Sequence, residues 1–386
     1  MKVVNLINLD TIGGVERLYR QWLLSTSVKQ QITLSDRYTI HKYIFSDVSN
    51  HSKIYYTKKN RFIPLPKVLR ERHIKNILRR ESPDVILVWN KIDSRIVNYI
   101  TGQTPVIFYD HGASWLASKE GVESDYWNKI DKIICVSHSA EKIINHRFPD
   151  TRSIKTDVIY NPNLVNPRPL PAKTKQETFN FGIASRIIAR KGIPIALDAI
   201  KLLLDDNVRV HLYVAGSGKH LEKLKLYCQK LNIEDHVSWM GNIDDMQGFY
   251  NKIQTLICPS IYEPFGLTVF EAASYGVPAI VSAVDGIYEA VNLVNGVQIK
   301  PKISIEDYAK KYGFRTSELD SLSYFHETGT VAPSLAVDPE DLYYVMKKMA
   351  TDSPYYLDLK NETVKSLYKT TSIIDWAKKL DNSILC

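Results

Sequence analysis

One pattern recurs from end to end of the chain and limits what it can fold into. A short apolar run of strand length empties into a turn carrying Gly, His or Pro, and a segment of helix length follows. Such runs occur at Val3–Leu9, Pro83–Trp89, Pro105–Tyr109, Ile133–Val136, Phe179–Ala184, Val208–Ala215, His236–Gly241, Thr255–Cys258 and Ala279–Ser282. Runs this short that are apolar on both faces suit strands buried on both sides, and helix-length spacers suit the crossovers that parallel strands require. The expected class is therefore α/β with doubly wound parallel sheets. At 386 residues the chain is long enough for two domains of ordinary size. Pro162, Pro167, Pro169 and Pro171 fall in a stretch without hydrophobic patterning, which reads as the linker. The expected division is 1–165 and 166–370, with a terminal helix in 371–386.

Composition narrows the class. A hydrophobic content of 44% and a charged content of 24% describe a globular chain, and no apolar run approaches the ~18 residues needed to span a bilayer. The opening Lys2-Val3-Val4-Asn5 reads as the start of a buried strand and not as a signal segment, so a cytoplasmic location is expected. Cys135, Cys228, Cys258 and Cys386 show no C-x-x-C spacing, which fits core thiols better than disulfides or zinc ligands. The net charge of +8 invites an anionic partner. Much of it lies in 53–80, where Lys53, Lys58, Lys59, Arg61, Lys67, Arg70, Arg72, Lys75, Arg79 and Arg80 face only Glu71. In the helical part Ile74, Ile77 and Leu78 share one face and Arg72, Lys75 and Arg79 another. That second face is either a solvated helix surface or a patch for anionic lipid. Nucleic acid is disfavoured, because few aromatics are interleaved for base stacking.

The densest chemistry lies in Ile257–Ala279. A strand runs through Pro259 and Pro264 into a helix expected to start near Gly266, so that Glu263 and Glu271 bracket its N-terminus. The amides of Phe265, Gly266 and Leu267, with the positive end of the helix dipole, favour a phosphate there. A carboxylate at Glu271 suits a ribose diol better than a phosphate. Upstream, Arg186 ends a strand and Lys191 follows five residues later at the Gly192 turn, which offers a planar fork and a point charge to a diphosphate. The Gly216-Ser217-Gly218-Lys219 turn is not a P-loop, because residue 213 is Tyr and residue 220 is His. At the first strand exit, Gly13-Gly14 followed by Arg17 lets a backbone approach a ligand without a Cβ in the way. His111-Gly112 leaves another strand end on the same side of its sheet.

Glu263, the Pro-Phe-Gly-Leu run, Glu271 and Gly276-Val277-Pro278 together resemble the E-x7-E signature of the retaining family 4 glycosyltransferases, which have the GT-B architecture of two Rossmann-like domains facing a cleft. The resemblance covers about residues 1 to 299 and the final helix. It implies that Glu271 binds the nucleotide ribose, that Glu263 and His111 position and polarise the donor sugar, and that Arg186 and Lys191 neutralise the leaving diphosphate. It further implies that Gly13-Gly14 approaches the donor phosphates, that Gly216 helps receive the base side, and that the helix containing Trp376 returns to the first domain. The family's second Gly near Ile287 is missing, which bears on the fit around the donor sugar. The segment 300–334 is an insertion, whose Tyr308, Tyr312, Phe314, Tyr324 and Phe325 suggest an ordered flap over the acceptor.

The resemblance implies sugar transfer from a UDP or GDP donor with retention by front-face attack. The acceptor would be a glycan or lipid-linked glycan of a bacterial envelope, and the site would work at the inner face of the plasma membrane. No D-x-D motif occurs, so no metal or other cofactor is expected and the cations take the metal's task. The alternatives sharing the architecture are a nucleotide-sugar 2-epimerase, a pyridoxal phosphate-dependent phosphorylase and a non-catalytic nucleotide-sugar-binding module.

Overall fold

The computed structural model describes residues 1–35, 39–57, 67–92, 104–117, 126–165, 177–319, 321–368 and 370–385. Of the expected linker, Pro167, Pro169 and Pro171 lie outside the described residues, as do Lys58, Lys59 and Arg61 of the basic stretch. The chain divides into two compact units, Met1–Leu164 with Thr371–Cys386, and Val165–Thr370.

The first unit holds a parallel sheet of β1 (Lys2–Ile7), β2 (Gln30–Ser35), β3 (Lys53–Tyr56), β4 (Val85–Trp89), β5 (Val106–Asp110), β6 (Lys132–Cys135) and β7 (Lys155–Val158), in the order β3-β2-β1-β4-β5-β6-β7. Its helices are α1 (Gly14–Ser25), α2 (Lys42–His51), α3 (Lys67–Glu81), the short α4 (Ala113–Leu116) and α5 (His138–Arg147). β4 and β5 are buried along their whole length, which is why their sequences are unbroken apolar runs instead of alternating ones. Strand order reverses between β1 and β4, so both C-terminal ends border the crevice where such sheets take ligands.

The last helix, which we number α14 (Ile373–Leu385), belongs to this unit. Trp376 is fully buried and its indole N–H donates to the Tyr109 hydroxyl at 3.4 Å. Asp381 accepts from Trp22 Nε1 at 2.9 Å, from the Thr26 hydroxyl at 2.6 Å, and from the backbone N–H and hydroxyl of Ser27 at 2.8 Å each. A buried carboxylate is tolerated because four donors replace its water.

The second unit repeats the layout with β8 (Phe179–Ala184), β9 (Val210–Ala215), β10 (Val237–Gly241), β11 (Thr255–Cys258), β12 (Ala279–Ser282) and β13 (Val297–Ile299), in the order β10-β9-β8-β11-β12-β13. Around it lie α6 (Ile193–Asp205), α7 (Leu221–Leu231), α8 (Met246–Lys252), α9 (Leu267–Ser274) and α10 (Asp285–Leu293). The reversal now falls between β8 and β11, whose exit loops carry Arg186, Lys191 and Glu263.

The inserted segment is ordered within the second unit, as β14 (Ile303–Ser304), α11 (Ile305–Tyr312), a hairpin of β15 (Leu322–Phe325) and β16 (Thr330–Pro333), and β17 (Leu335–Ala336) pairing with β14. The expected order is thus present, in an element docked on its own domain. The Tyr308 hydroxyl donates to Ala189 O, the Tyr312 hydroxyl to Asp198, and the Ser323 hydroxyl to Ile261 O. After it, α12 (Pro339–Thr351) and α13 (Ser353–Leu367) complete the unit. Among the described residues, no helix is long and apolar enough to cross a membrane.

Candidate functional site

In the second unit the β8 and β11 exit loops lock together before any side chain is considered. Ile261 N donates to Arg190 O at 2.8 Å, and Gly192 lies so close to Pro259 that an added Cβ would sit 1.9 Å from its carbonyl oxygen. Gly192 is also left-handed, with φ of +66°, so that turn is open to glycine alone. This backbone contact brings Lys191 to Glu263, 72 residues away, and the two form an ion pair with only 15% and 17% of their side chains exposed. Burial pushes the Glu263 carboxyl up, but Lys191, Arg190 and Arg186 outweigh it and hold the group below the ordinary carboxylate range. Burial and the charge of Arg190 press the Lys191 ammonium below its ordinary value against the single anion Glu263. With three cations around it, the carboxylate is the firmer charge of the pair.

Arg186 is exposed; its carbonyl accepts from Ile188 N and the Ser185 hydroxyl, while its guanidinium makes no hydrogen bond or ion pair among the described residues. Arg190, which the sequence reading left out, stacks over the Tyr262 ring at 4.6 Å and donates to Tyr262 O at 3.4 Å. Its signal in the sequence was the adjacency Arg190-Lys191. A narrow pocket opens at these strand ends, lined by Ala184, Ser185, Lys191, Cys258, Ser260, Glu263, Thr268 and Ile287 among others.

The helix after Glu263 starts at Leu267, and Gly266 is its left-handed cap with φ of +88°, where a Cβ would lie 2.8 Å from Ile287 Cγ1. As expected, the helix begins at the Gly266 cap, and the first-turn N–H groups without intrahelical acceptors begin at Leu267, with Phe265 just before the cap. Glu271 sits on the second turn, 3% exposed, with Tyr250 donating to its Oε2 at 3.2 Å. Its carboxylate is positioned from within the domain, so only an oxygen turned toward the helix start could meet a diol.

Two residues before Ile287, where the resemblance lacks its second glycine, the backbone turns left-handed at a non-glycine residue. Asp285 has φ of +48° and is fully buried. Its Oδ2 accepts from Glu263 N at 3.2 Å and its Oδ1 from Tyr324 N at 2.7 Å. Burial drives its carboxyl well above the ordinary range, although these N–H donors and Ser323 pull the other way. On the opposite flank the Gly216 turn is tied down by Gly216 N to Gly241 O and by Ile187 N to Ser217 O. The insertion reaches that flank as well, where Glu318 accepts from Lys219 at 2.6 Å and pairs with His220 at 2.8 Å.

In the first unit Gly13 caps α1 in extended backbone, and Gly13 and Gly14 are both exposed at the end of β1. His111 follows β5. Its ring stacks on Trp89 at 5.7 Å and tilts against Tyr109 at 4.1 Å, its backbone N–H donates to Asn90 Oδ1, and its Nε2 is buried with no hydrogen-bond partner among the described residues. Burial lowers its imidazole to about 3, so the ring is neutral at physiological pH and carries an unused Nε2. Asn90, left-handed at the end of β4, also receives Ala113 N and so shapes the same turn. At the next junction Ser137, not His138, caps α5 by accepting from Ala140 N.

On α3, Ile74 and Ile77 are buried while Arg72 and Arg79 are exposed. Glu71, the one acid of the stretch, pairs with Lys75 at 2.7 Å and partly neutralises it. Val68 and Leu69 on the first turn are 74% and 49% exposed.

Residues 169–313 match the family model described as glycosyl transferases group 1. The chain is 30% identical over 188 residues to an uncharacterized glycosyltransferase of Methanocaldococcus jannaschii, covering 44% of this chain and 47% of that protein. It thus spans about half the length of that archaeal relative. It is 25% identical over 299 residues to the lipopolysaccharide core biosynthesis glycosyltransferase LpsD of Rhizobium meliloti, covering 74% of this chain and 79% of the relative. Among solved structures, Anabaena HepE in complex with UDP and glucose superposes with a TM-score of 0.70 at 14% identity, covering 100% of this chain and 99% of that one. The two Rossmann-like units have the GT-B fold shared with that solved structure. Within the second unit, residues 169–313 carry the glycosyl transferases group 1 domain.

Proposed function

We propose that the chain transfers a sugar from a UDP- or GDP-sugar to a glycan or lipid-linked glycan in envelope polysaccharide biosynthesis, with retention and without a metal. The observation that carries the reading is the Lys191–Glu263 pair, with Arg186 and Arg190 beside it and the α9 N-terminus next to it. Cleaving the anomeric C–O bond leaves negative charge on a diphosphate, and preformed cations and N–H groups stabilise it where it develops. Lys191 then exchanges one anion for a second while Glu263 stays ionised beside the sugar. Arg186 supplies the free guanidinium, and Glu271 faces the ribose. His111 Nε2, neutral and unpaired among the described residues, suits a sugar hydroxyl. With front-face attack the acceptor proton passes to a donor phosphate oxygen, so no side-chain base is required. The relative named for lipopolysaccharide core biosynthesis supports an envelope acceptor, and the neighbour holding UDP and glucose supports a nucleotide-sugar donor.

Val68, Arg72, Lys75 and Arg79 recur at helical spacing, so exposed apolar and basic groups share one face of α3. That combination supports docking to an anionic membrane surface. The deciding experiment is a panel of nucleotide sugars scored by thermal stabilisation, where a ligand at a hundred times its Kd contributes about 2.7 kcal/mol. It is followed by transfer assays with and without EDTA. Arg186→Ala should fold normally and lose about 100-fold or more in kcat. Turnover near wild type in that variant, or turnover that EDTA abolishes, refutes the assignment.

A further inference from the structure

We propose that Asp285 and the inserted β15–β16 hairpin form a positioning device that holds the Glu263 loop in register for the transfer reaction; this rests on the function proposed above. Asp285 is the residue to explain, because a buried non-glycine residue at φ of +48° persists only where its surroundings over-determine it. The surroundings do so. One carboxylate oxygen takes the Glu263 N–H, the other takes the Tyr324 N–H of the hairpin, and the Asp285 carbonyl accepts from His326 Nε2 at 2.9 Å. A carbonyl can only accept, so Nε2 carries the proton. The same imidazole stacks on Tyr288 with ring centroids 4.1 Å apart, and Ser323 of the hairpin donates to Ile261 O at 3.2 Å.

The hairpin therefore grips the Glu263 loop twice, through Ile261 directly and through Asp285. The first turn of α10 also bears on the far end of that loop, since Ile287 packs where a Cβ on Gly266 would go. Lys191 fixes the Glu263 side chain while Asp285 fixes its main chain. Held from both sides, the carboxylate has one position relative to the pocket, as a group that must meet a reacting sugar requires. Asp285 makes no hydrogen bond to Lys191 and is absent from the pocket lining, so its role runs through Glu263.

Asp285→Gly and Asp285→Asn test this, because both residues accept a left-handed backbone and so keep the path of the chain. Gly removes both acceptors, and Asn leaves one. Hydrogen exchange of the 260–266 peptide is measured on ligand-free protein, alongside affinity for UDP and GDP, and kcat and KM with the nucleotide sugar that wild type turns over fastest. In Asp285→Gly, exchange at the Glu263 amide should rise at least about tenfold. Its kcat should fall about 30-fold while affinity for UDP or GDP stays within about threefold, with Asp285→Asn in between. Unchanged exchange overturns the proposal. So does faster exchange with unaltered kcat, or a kcat loss matched by an equal loss of nucleotide affinity. If wild type turns over no nucleotide sugar, the proposed function fails and this role falls with it, while the ligand-free exchange still reports separately whether the clamp exists.

Discussion

Acid should weaken the first unit through His111, and the size of the effect follows from its burial. The folded imidazole is held to about 3 against an ordinary 6.5, because charging it inside the Trp89 and Tyr109 shell forfeits hydration with no anion in return. A group depressed in this way binds fewer protons folded than unfolded between those two values. Stability is therefore full above the unfolded pKa and is lost as pH falls through it. The slope is about 1.4 kcal/mol per pH unit, so pH 5 costs at most about 2 kcal/mol relative to pH 7.5. The figure is a ceiling, because the ring keeps some exposure. For a unit of this size that is about 4–8 °C in Tm. The perturbation is His111→Phe, which keeps an aromatic ring between Trp89 and Tyr109 and removes the titration. Tm of wild type and variant is followed from pH 7.5 to 4.5 by near-ultraviolet circular dichroism, which reports the tryptophans of the first unit. The wild-type curve should fall away from the variant's below about pH 6.5. Parallel curves over the whole range would show that His111 does not titrate differently on folding, and the argument from its burial would be wrong.

Asp381→Ala should release α14 by stripping the acceptor from Trp22, Thr26 and Ser27, at a cost of about 3 kcal/mol, read as a lower midpoint in urea. A loss under about 0.5 kcal/mol would mean that the helix is held by Trp376 packing alone. Combined Arg72→Ala and Arg79→Ala should weaken binding to vesicles rich in anionic lipid by about 2 kcal/mol, roughly 30-fold, and leave neutral vesicles unaffected. Equal binding of wild type and double variant would remove α3 as a membrane surface. Lys191→Met should lower stability, because Glu263 keeps its burial and loses its nearest cation, and should abolish transfer. Retained transfer would shift the diphosphate role to Arg186 and Arg190.

The architecture was legible because it is written locally. Val85–Trp89 and Val106–Asp110 are apolar throughout because both of their faces are covered, and that pattern survives in the chain without knowledge of any neighbour. The turns after these strands announce themselves through Gly13, Gly112, Gly192 and Gly266. The same holds for the site's inventory, since Arg186, Lys191, Glu263 and Glu271 stand at strand exits and helix starts that the sequence marks.

Their pairing was not legible. Which cation meets Glu263 depended on the Gly192 turn closing onto Pro259. That Asp285 would occupy a left-handed position depended on its finding Glu263 N and Tyr324 N. The insertion showed only its aromatic content, and its docking on Ala189, Asp198, Ile261 and Asp285 emerged with the packed domain. Sequence alone thus determined two doubly wound sheets and the charged residues at their strand ends, because burial and chain reversal constrain neighbouring residues. Tertiary structure decided which of those charges are paired, which are free and which are locked, because hydrogen bonds between distant segments exist only once packing has brought the backbones together.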